Sequence, residues 1–156
     1  MPFPDASFDA ITMLDVLEHI EDDVGSLATI ERLLRPGGTF LCTVPAFAFL
    51  WSGHDDDAQH KRRYTRPELR AKLEGAGLRV RKISYYNTFL FPPIVSAHYL
   101  LGGRRRGSGT ALREVATPLN AVLCRIFAAE RHWLRVGTFP FGVSVLALAR
   151  KPGDPT

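Results

Sequence analysis

The strongest constraint on the fold lies in the first 44 residues, where two strand-like runs flank a single helical stripe with almost no chain to spare. Ser7-Phe8-Asp9-Ala10-Ile11-Thr12-Met13-Leu14 is short and mostly apolar, opened by the turn-like Pro4-Asp5-Ala6, and reads as a buried strand. Asp22 and Asp23 stand where a helix N-terminus gains from side-chain caps and negative charge. From there Ile20, Val24, Leu27, Ile30 and Leu34 keep the three-to-four spacing of one helix face. Arg35-Pro36-Gly37-Gly38 predicts the stop: a basic last turn, a proline that cannot continue, and glycines free to turn back. Thr39-Phe40-Leu41-Cys42-Thr43-Val44 is the next apolar strand, ended by Pro45. A strand that returns through a helix to a second strand makes a parallel pair with a right-handed crossover.

The chain after this unit continues the alternation. A polar, His- and Asp-rich stretch from Phe47 to Tyr64 reads as a loop, and Thr65-Arg66-Pro67-Glu68 supplies a capping box for a helix through Leu69 and Leu73. Gly75-Ala76-Gly77 closes it, and Leu78 to Tyr85 reads as a third strand. Asn87 to Leu101 is apolar but broken by Pro92-Pro93, and residues 102–109 read as a mobile loop. Leu119, Val122, Leu123, Ile126, Phe127, Trp133 and Leu134 place an apolar face on a helix, with Arg125, Arg131 and Arg135 on its other sides. Gly142 to Ala149 is a final strand, and no internal repeat is present.

Composition narrows the class. With 46% apolar and 23% charged residues in 156, the chain has the mass for a core and is neither disordered nor collagen-like. Two isolated cysteines, Cys42 and Cys124, exclude a disulfide scaffold and a cysteine zinc site. No run approaches the roughly 20 apolar residues of a spanning helix, and no charged-then-apolar leader opens the chain, so a cytoplasmic location is expected. The net charge of +4 hides a split: residues 1–34 hold eight acids and one base, whereas sixteen of all twenty bases are arginine and nearly all follow. Charge alone would suggest nucleic acid or an acidic membrane surface, but no recognition motif or aromatic stacking platform accompanies it. A solvated basic face is the simpler reading, and no nucleic-acid partner is expected.

In open α/β sheets, ligands bind beyond the carboxyl ends of the parallel strands. Two segments qualify, 14–21 and 45–64, and together they hold His19, His54 and His60. If residues 15–19 form a helical turn, Asp15, Glu18 and His19 share a face and offer oxygen and nitrogen ligands to a divalent cation. The same acids would equally serve as caps for the following helix, with His19 bonded locally. In the second segment Asp55-Asp56-Asp57 lacks the glycine and final glutamate of a calcium loop. His54 and His60 are candidate general bases, with a solvated surface loop as the alternative. The chain contains no glycine-rich dinucleotide loop, no P-loop and no nucleophile elbow.

Pro2-Phe3-Pro4-Asp5-Ala6-Ser7-Phe8-Asp9, Leu14-Asp15-Val16-Leu17-Glu18-His19-Ile20 and Leu33-Leu34-Arg35-Pro36-Gly37-Gly38-Thr39 together carry a resemblance. In this order they resemble class I S-adenosylmethionine-dependent methyltransferases, in the branch of the ubiquinone-biosynthesis O-methyltransferases. His60-Lys61-Arg62-Arg63-Tyr64-Thr65 and Leu73-Glu74-Gly75-Ala76-Gly77-Leu78 extend the resemblance to about Tyr86. It implies a Rossmann-like sheet in order 3-2-1-4-5-7-6 with the last strand antiparallel, of which this chain would supply strands 4, 5, 6 and 7. Strands 1 to 3 and the glycine-rich cofactor loop would then lie outside it. The expectation is the C-terminal part of a longer enzyme, interrupted at Met1 and completed by an N-terminal half or a partner chain. Residues 1–86 would carry strands 4 to 6 and the active edge, 87–136 a helical lid or insertion, and 137–156 the last strand and tail.

The resemblance also implies roles. Leu14, Asp15, Val16 and His19 would line the methionine end of S-adenosylmethionine, with His19 beside the transferring methyl. Some relatives hold a divalent metal such as magnesium through Glu-x-x-Glu-His and a later histidine, which places Asp15, Glu18, His19 and His60 as a metal set here. A neutral hydroxyl acceptor must lose a proton, to His60, His19 or His54 directly or with help from the metal. The apolar stretch from Phe89 to Val95 and the basic helix near Trp133 would form a lid. They suggest a small, apolar or lipid-linked acceptor and peripheral membrane contact, with ordinary core packing as the alternative. The competing function is a non-catalytic binding module, docking through the edge of the first strand.

Overall fold

The computed structural model describes residues 3–100 and 117–153. Four strands form one mixed sheet: β1 (Phe8–Leu14), β2 (Leu34–Pro45), β3 (Arg79–Tyr86) and β4 (Ser144–Arg150), in the order β1-β2-β4-β3. β1 and β2 are parallel, and β4 runs antiparallel to both of its neighbours, β2 and β3. This is the 4-5-7-6 order that the resemblance implies.

The first crossover is α1 (Asp23–Leu33), started by Asp22, whose side chain accepts from the Gly25 amide at 2.8 Å. The apolar stripe is only partly used. Leu27, Ile30 and Leu33 are buried, but Val24 is 54% exposed. Leu34 is not the last residue of the helix: its backbone is extended and it opens β2. The predicted turn Arg35-Pro36-Gly37-Gly38 is therefore an irregularity inside β2, where Phe8 pairs with Leu34 but Ala10 already pairs with Thr39. Gly37 has φ +78°, and its amide donates to the Lys151 carbonyl at 3.1 Å, which fastens the bulge to the end of β4.

The 46–64 stretch has more structure than a polar loop. It contains a 3₁₀ turn over Ala48–Leu50 and a short helix, α2 (Gly53–Asp57), begun by a Ser52–Asp55 capping box. α3 (Arg66–Gly75) has the expected Thr65–Glu68 capping box and ends before Gly77 at φ +88°. α4 (Phe91–Leu100) accommodates Pro92 and Pro93 in its first turn, where a missing N–H breaks no helical bond. α5 (Thr117–Val136) contains the predicted amphipathic segment, but Phe127 and Trp133 are 41% and 55% exposed. The stretch 102–109 and the side chains of Leu119, Val122 and Leu123 lie outside the described residues.

Leu27 and Ile30 of α1 and Leu69 and Leu73 of α3 pack in one core with Phe40, Cys42 and Val44 of β2 and Val145, Ala147 and Ala149 of β4. The small alanines at the sheet centre let the helices approach closely. β1 behaves differently: Ala10, Thr12 and Leu14 are exposed although the run is apolar. Among the described residues β1 pairs with β2 alone, so its outer edge is open.

Candidate active site

The site grows from the carboxyl end of β1. Asp15 adopts φ +51°, a left-handed conformation that aspartate tolerates better than most residues. Its amide donates to the Thr43 carbonyl at 3.0 Å and to Thr43 Oγ1 at 3.1 Å, while Thr43 Oγ1 donates to Asp15 Oδ1 at 3.1 Å. This sharp bend prevents the helical turn predicted to begin at Asp15. A 3₁₀ turn forms instead over Leu17–His19. Leu17 anchors that turn in the core, and Glu18 is carried inside with it, 0% exposed.

Glu18 is the most unusual side chain in the molecule. Both of its carboxylate oxygens are buried without a hydrogen-bond partner among the described residues. Burial, and secondarily the Asp15 charge, push its carboxyl above the usual range, against a backbone hydrogen bond and the two neighbouring imidazoles. A buried polar group left unmatched costs stability, so such a group in a native site asks for a cation, a proton or a ligand.

The second wall comes from the 46–64 segment, whose ends meet: the Tyr64 amide donates to the Pro45 carbonyl at 2.9 Å and the Phe47 amide to the Tyr64 carbonyl at 3.0 Å. The Lys61 amide donates to the Glu18 carbonyl at 2.8 Å, fastening the loop to the 3₁₀ turn. His60 and His19 consequently meet edge to face, with ring centroids 4.7 Å apart. One ligand atom each of Glu18, His19 and His60 lies within 4.8 Å of the others. Asp15, the fourth predicted member of the metal set, stands outside this group with its carboxylate turned to Thr43. His54 is exposed on α2, with its ring 6.3 Å from that of His60. Leu14 and Val16 are exposed on either side of Asp15.

Two acids that the sequence places at a helix start and in a polar run, Asp23 and Asp55, are buried and paired in the fold. Asp55, 0% exposed, accepts from Arg63 through both oxygens, at 2.7 and 2.9 Å, and lies 2.8 Å from His60 Nδ1. Burial alone would raise its carboxyl, but the Arg63 and His60 hydrogen bonds outweigh that and hold it down at about 2. Asp23 takes the Tyr64 hydroxyl at 2.8 Å, Lys72 Nζ at 2.9 Å and Arg62 at 3.1 Å. A signal for Asp55 existed in the chain: Ser52-x-x-Asp55 is a capping spacing, which turns one of three consecutive aspartates inward. Nothing local marks Asp23 as buried, because its partners lie some 40 to 50 residues away. Cys42 lies in the core, and burial pushes its thiol up to about 12, which makes it unreactive.

A rim of aromatic side chains adjoins the site. Phe47, at φ +56°, stacks on Tyr85 with centroids 4.9 Å apart and meets Phe91 of α4 at 5.7 Å; Phe91 meets Phe141 at 5.4 Å. Phe49 and Phe141 remain 47% and 41% exposed. Glu130 of α5, buried, accepts from the amides of Asn87 and Phe89 and so ties α5 to the entrance of α4.

Known proteins resemble the chain in sequence and in fold. A family model described as a methyltransferase domain matches residues 1–42. The "Probable S-adenosylmethionine-dependent methyltransferase" of Mycolicibacterium smegmatis is 37% identical over 82 residues, 51% of this chain and 32% of that protein. The ubiquinone biosynthesis O-methyltransferase of Xanthomonas axonopodis pv. citri is 35% identical over 91 residues, 50% of this chain and 38% of that protein. The chain thus matches about a third of the length of these relatives. The fold is shared with Haemonchus contortus phosphoethanolamine N-methyltransferase 2, solved with S-adenosyl-L-methionine, at a TM-score of 0.52 and 19% identity over 96% of this chain and 34% of that one. In its sheet order and in these sequence matches the chain is similar to class I S-adenosylmethionine-dependent methyltransferases.

Proposed function

We propose that this chain forms the acceptor side of a methyltransferase active centre that methylates a hydroxyl group on a small, apolar or lipid-linked acceptor. The observation that carries this reading is the buried, unpartnered Glu18 carboxylate facing His19 and His60 at the carboxyl ends of β1 and β2. S-adenosylmethionine, when bound, supplies a methyl group already activated on a sulfonium sulfur, so little covalent chemistry falls to the protein. The residues present fit one end of that cofactor. Exposed Leu14 and Val16 offer apolar surface, and Asp15, between them, offers a carboxylate suited to an ammonium group. His19 adjoins the same turn. These four positions would hold the methionine end, and the adenosine end needs residues beyond the open edge of β1.

The remaining task is to orient the acceptor, exclude water and remove its proton. His60 is the leading base, because it is only 11% exposed and sits against both Glu18 and His19. Exposed His54 is the outer candidate. The rim of Phe47, Phe49, Phe91 and Phe141 favours an apolar acceptor, with α4 and α5 as its lid. The names of the O-methyltransferase relatives agree with a hydroxyl as the methylated group. A second reading has the same side chains acting through a divalent cation such as magnesium. Glu18, His19 and His60 would be its ligands, and the orphaned carboxylate is the observation that favours it. Asp15 would join only by leaving Thr43.

The test is transfer of tritium from methyl-labelled S-adenosylmethionine to hydroxylated aromatic acceptors with and without an isoprenoid tail, by the complete protein that carries this chain. His60→Ala and Glu18→Gln should each lower kcat about 100-fold, in the range of a lost general base. Cofactor affinity should stay within about twofold of the unsubstituted protein. Wild-type rates in both variants would refute the site.

A further inference from the structure

The Asp55 carboxylate has no donor vacancy. Oδ1 faces His60 Nδ1 at 2.8 Å and accepts from Arg63 Nε at 2.7 Å. Oδ2 accepts from the second Arg63 arm at 2.9 Å, the Ser52 amide at 2.8 Å and the Ser52 hydroxyl at 3.1 Å. A carboxylate so surrounded by donors can only accept, so the proton between Asp55 and His60 belongs to Nδ1. That choice leaves Nε2 as the nitrogen with a lone pair, on a ring that meets His19 edge to face and belongs to the cluster with Glu18. Arg63 is itself fixed, donating to the Ala46 carbonyl at 3.0 Å, and its two-armed grip cancels the charge of Asp55. The pair therefore selects the tautomer of His60 without leaving a net negative charge beside it.

We propose that Asp55 is the positioning residue of the site: held by Arg63 and Ser52, it locks His60 in the Nδ1–H form and so presents the Nε2 lone pair to the acceptor hydroxyl or to a cation. This rests on the reading of His60 as base or ligand, but its structural content is testable without activity. An acid that merely braces the loop would fix the same tautomer, so the turnover of a folded Asp55→Asn is what separates bracing from positioning. The chain spacing serves the arrangement, because α2 places Asp55 five residues before His60 and eight before Arg63, within one closed loop.

The tautomer of His60 can be read by long-range proton–nitrogen NMR on the histidine-labelled protein near neutral pH, with His60→Gln identifying the signal. The expected result is a protonated Nδ1 and an unprotonated Nε2, lost in Asp55→Asn. In turnover, Asp55→Asn should lower kcat about 10- to 100-fold, the usual cost of losing a histidine's orienting partner, with KM for the acceptor little changed. A wild-type His60 protonated on Nε2 overturns the assignment, even if Asp55→Asn does not fold. Unchanged kcat in a folded Asp55→Asn beside an inactive His60→Ala also overturns it and leaves the functional reading intact. A fully active His60→Ala overturns that reading instead, and the role of Asp55 with it, whatever the tautomer.

Discussion

Glu18 and Asp55 are both fully buried carboxylates, and the fold treats them in opposite ways. Asp55 meets a guanidinium, an imidazole, an amide and a hydroxyl, whereas Glu18 meets no donor among the described residues. Their pH signatures must therefore differ in sign. The Asp55 carboxyl is lowered from near 4 to about 2, so its contribution is complete above pH 4 and is lost as pH falls toward 2. A shift of that size corresponds to roughly 2 kcal/mol. Denaturant melts across this range should show an acid limb that Asp55→Asn flattens. An unchanged acid limb would show that the pairing does not support the fold. Glu18 is raised, so its favourable term is complete below the usual carboxylate value and is lost as pH rises through the folded value. Glu18→Gln removes the buried charge while keeping a polar group there, and should therefore stabilise the chain at pH 7. At pH 4 the variant and the unsubstituted chain should converge. Stabilisation of the protein together with loss of turnover is the pattern of a residue kept for function.

At the level of elements, the site depends on how the 46–64 loop is latched. Tyr64, 2% exposed, reaches across to Asp23 at the start of α1, and Lys72 of α3 grips the same carboxylate. Tyr64→Phe removes one donor from Asp23 and should cost about 1–2 kcal/mol. It should also speed hydrogen exchange at the Lys61 amide, which holds the loop to Glu18. Unchanged exchange there would place the latch elsewhere. The elements that local chemistry specifies were legible in the sequence: α3 has its capping box and glycine stop, and β1 has a short apolar run between turns. The helix α2 reads as loop because it has no apolar stripe; it is held by a capping box and by a buried acid that pairs with His60 and Arg63 further along the same loop. The Arg35–Gly38 segment reads as a turn because proline and glycine disfavour strands, yet the pairing of flanking Leu34 and Thr39 with β1, and of Thr39 with β4, carries it as a bulge within β2.

At the scale of the whole molecule, sheet order followed from the early crossover together with the motif series, since neither periodicity nor composition could place β4 between β2 and β3. The site was legible as a neighbourhood but not as a geometry. The rule that ligands gather beyond parallel strand ends drew His19, His54 and His60 together, while the left-handed bend at Asp15 removed it from the cluster and left Glu18 inside. The open edge of β1 has its own consequence. Exposed Ala10, Thr12 and Leu14 lie beside backbone groups without a neighbour strand among the described residues, and in the proposed function the chain supplies the methionine-end positions of a cofactor site. Calorimetry of the 156-residue chain with S-adenosylmethionine should accordingly detect no micromolar binding; a micromolar Kd would show that these strands hold the cofactor unaided. Whether the ends of β1 and β2 hold the cofactor is tested by ultraviolet cross-linking of methyl-labelled S-adenosylmethionine to the complete protein carrying this chain, followed by peptide mapping. Label is expected on the peptide spanning Leu14 to His19, competed away by S-adenosylhomocysteine. Competable label confined to peptides remote from the ends of β1 and β2 would contradict that expectation.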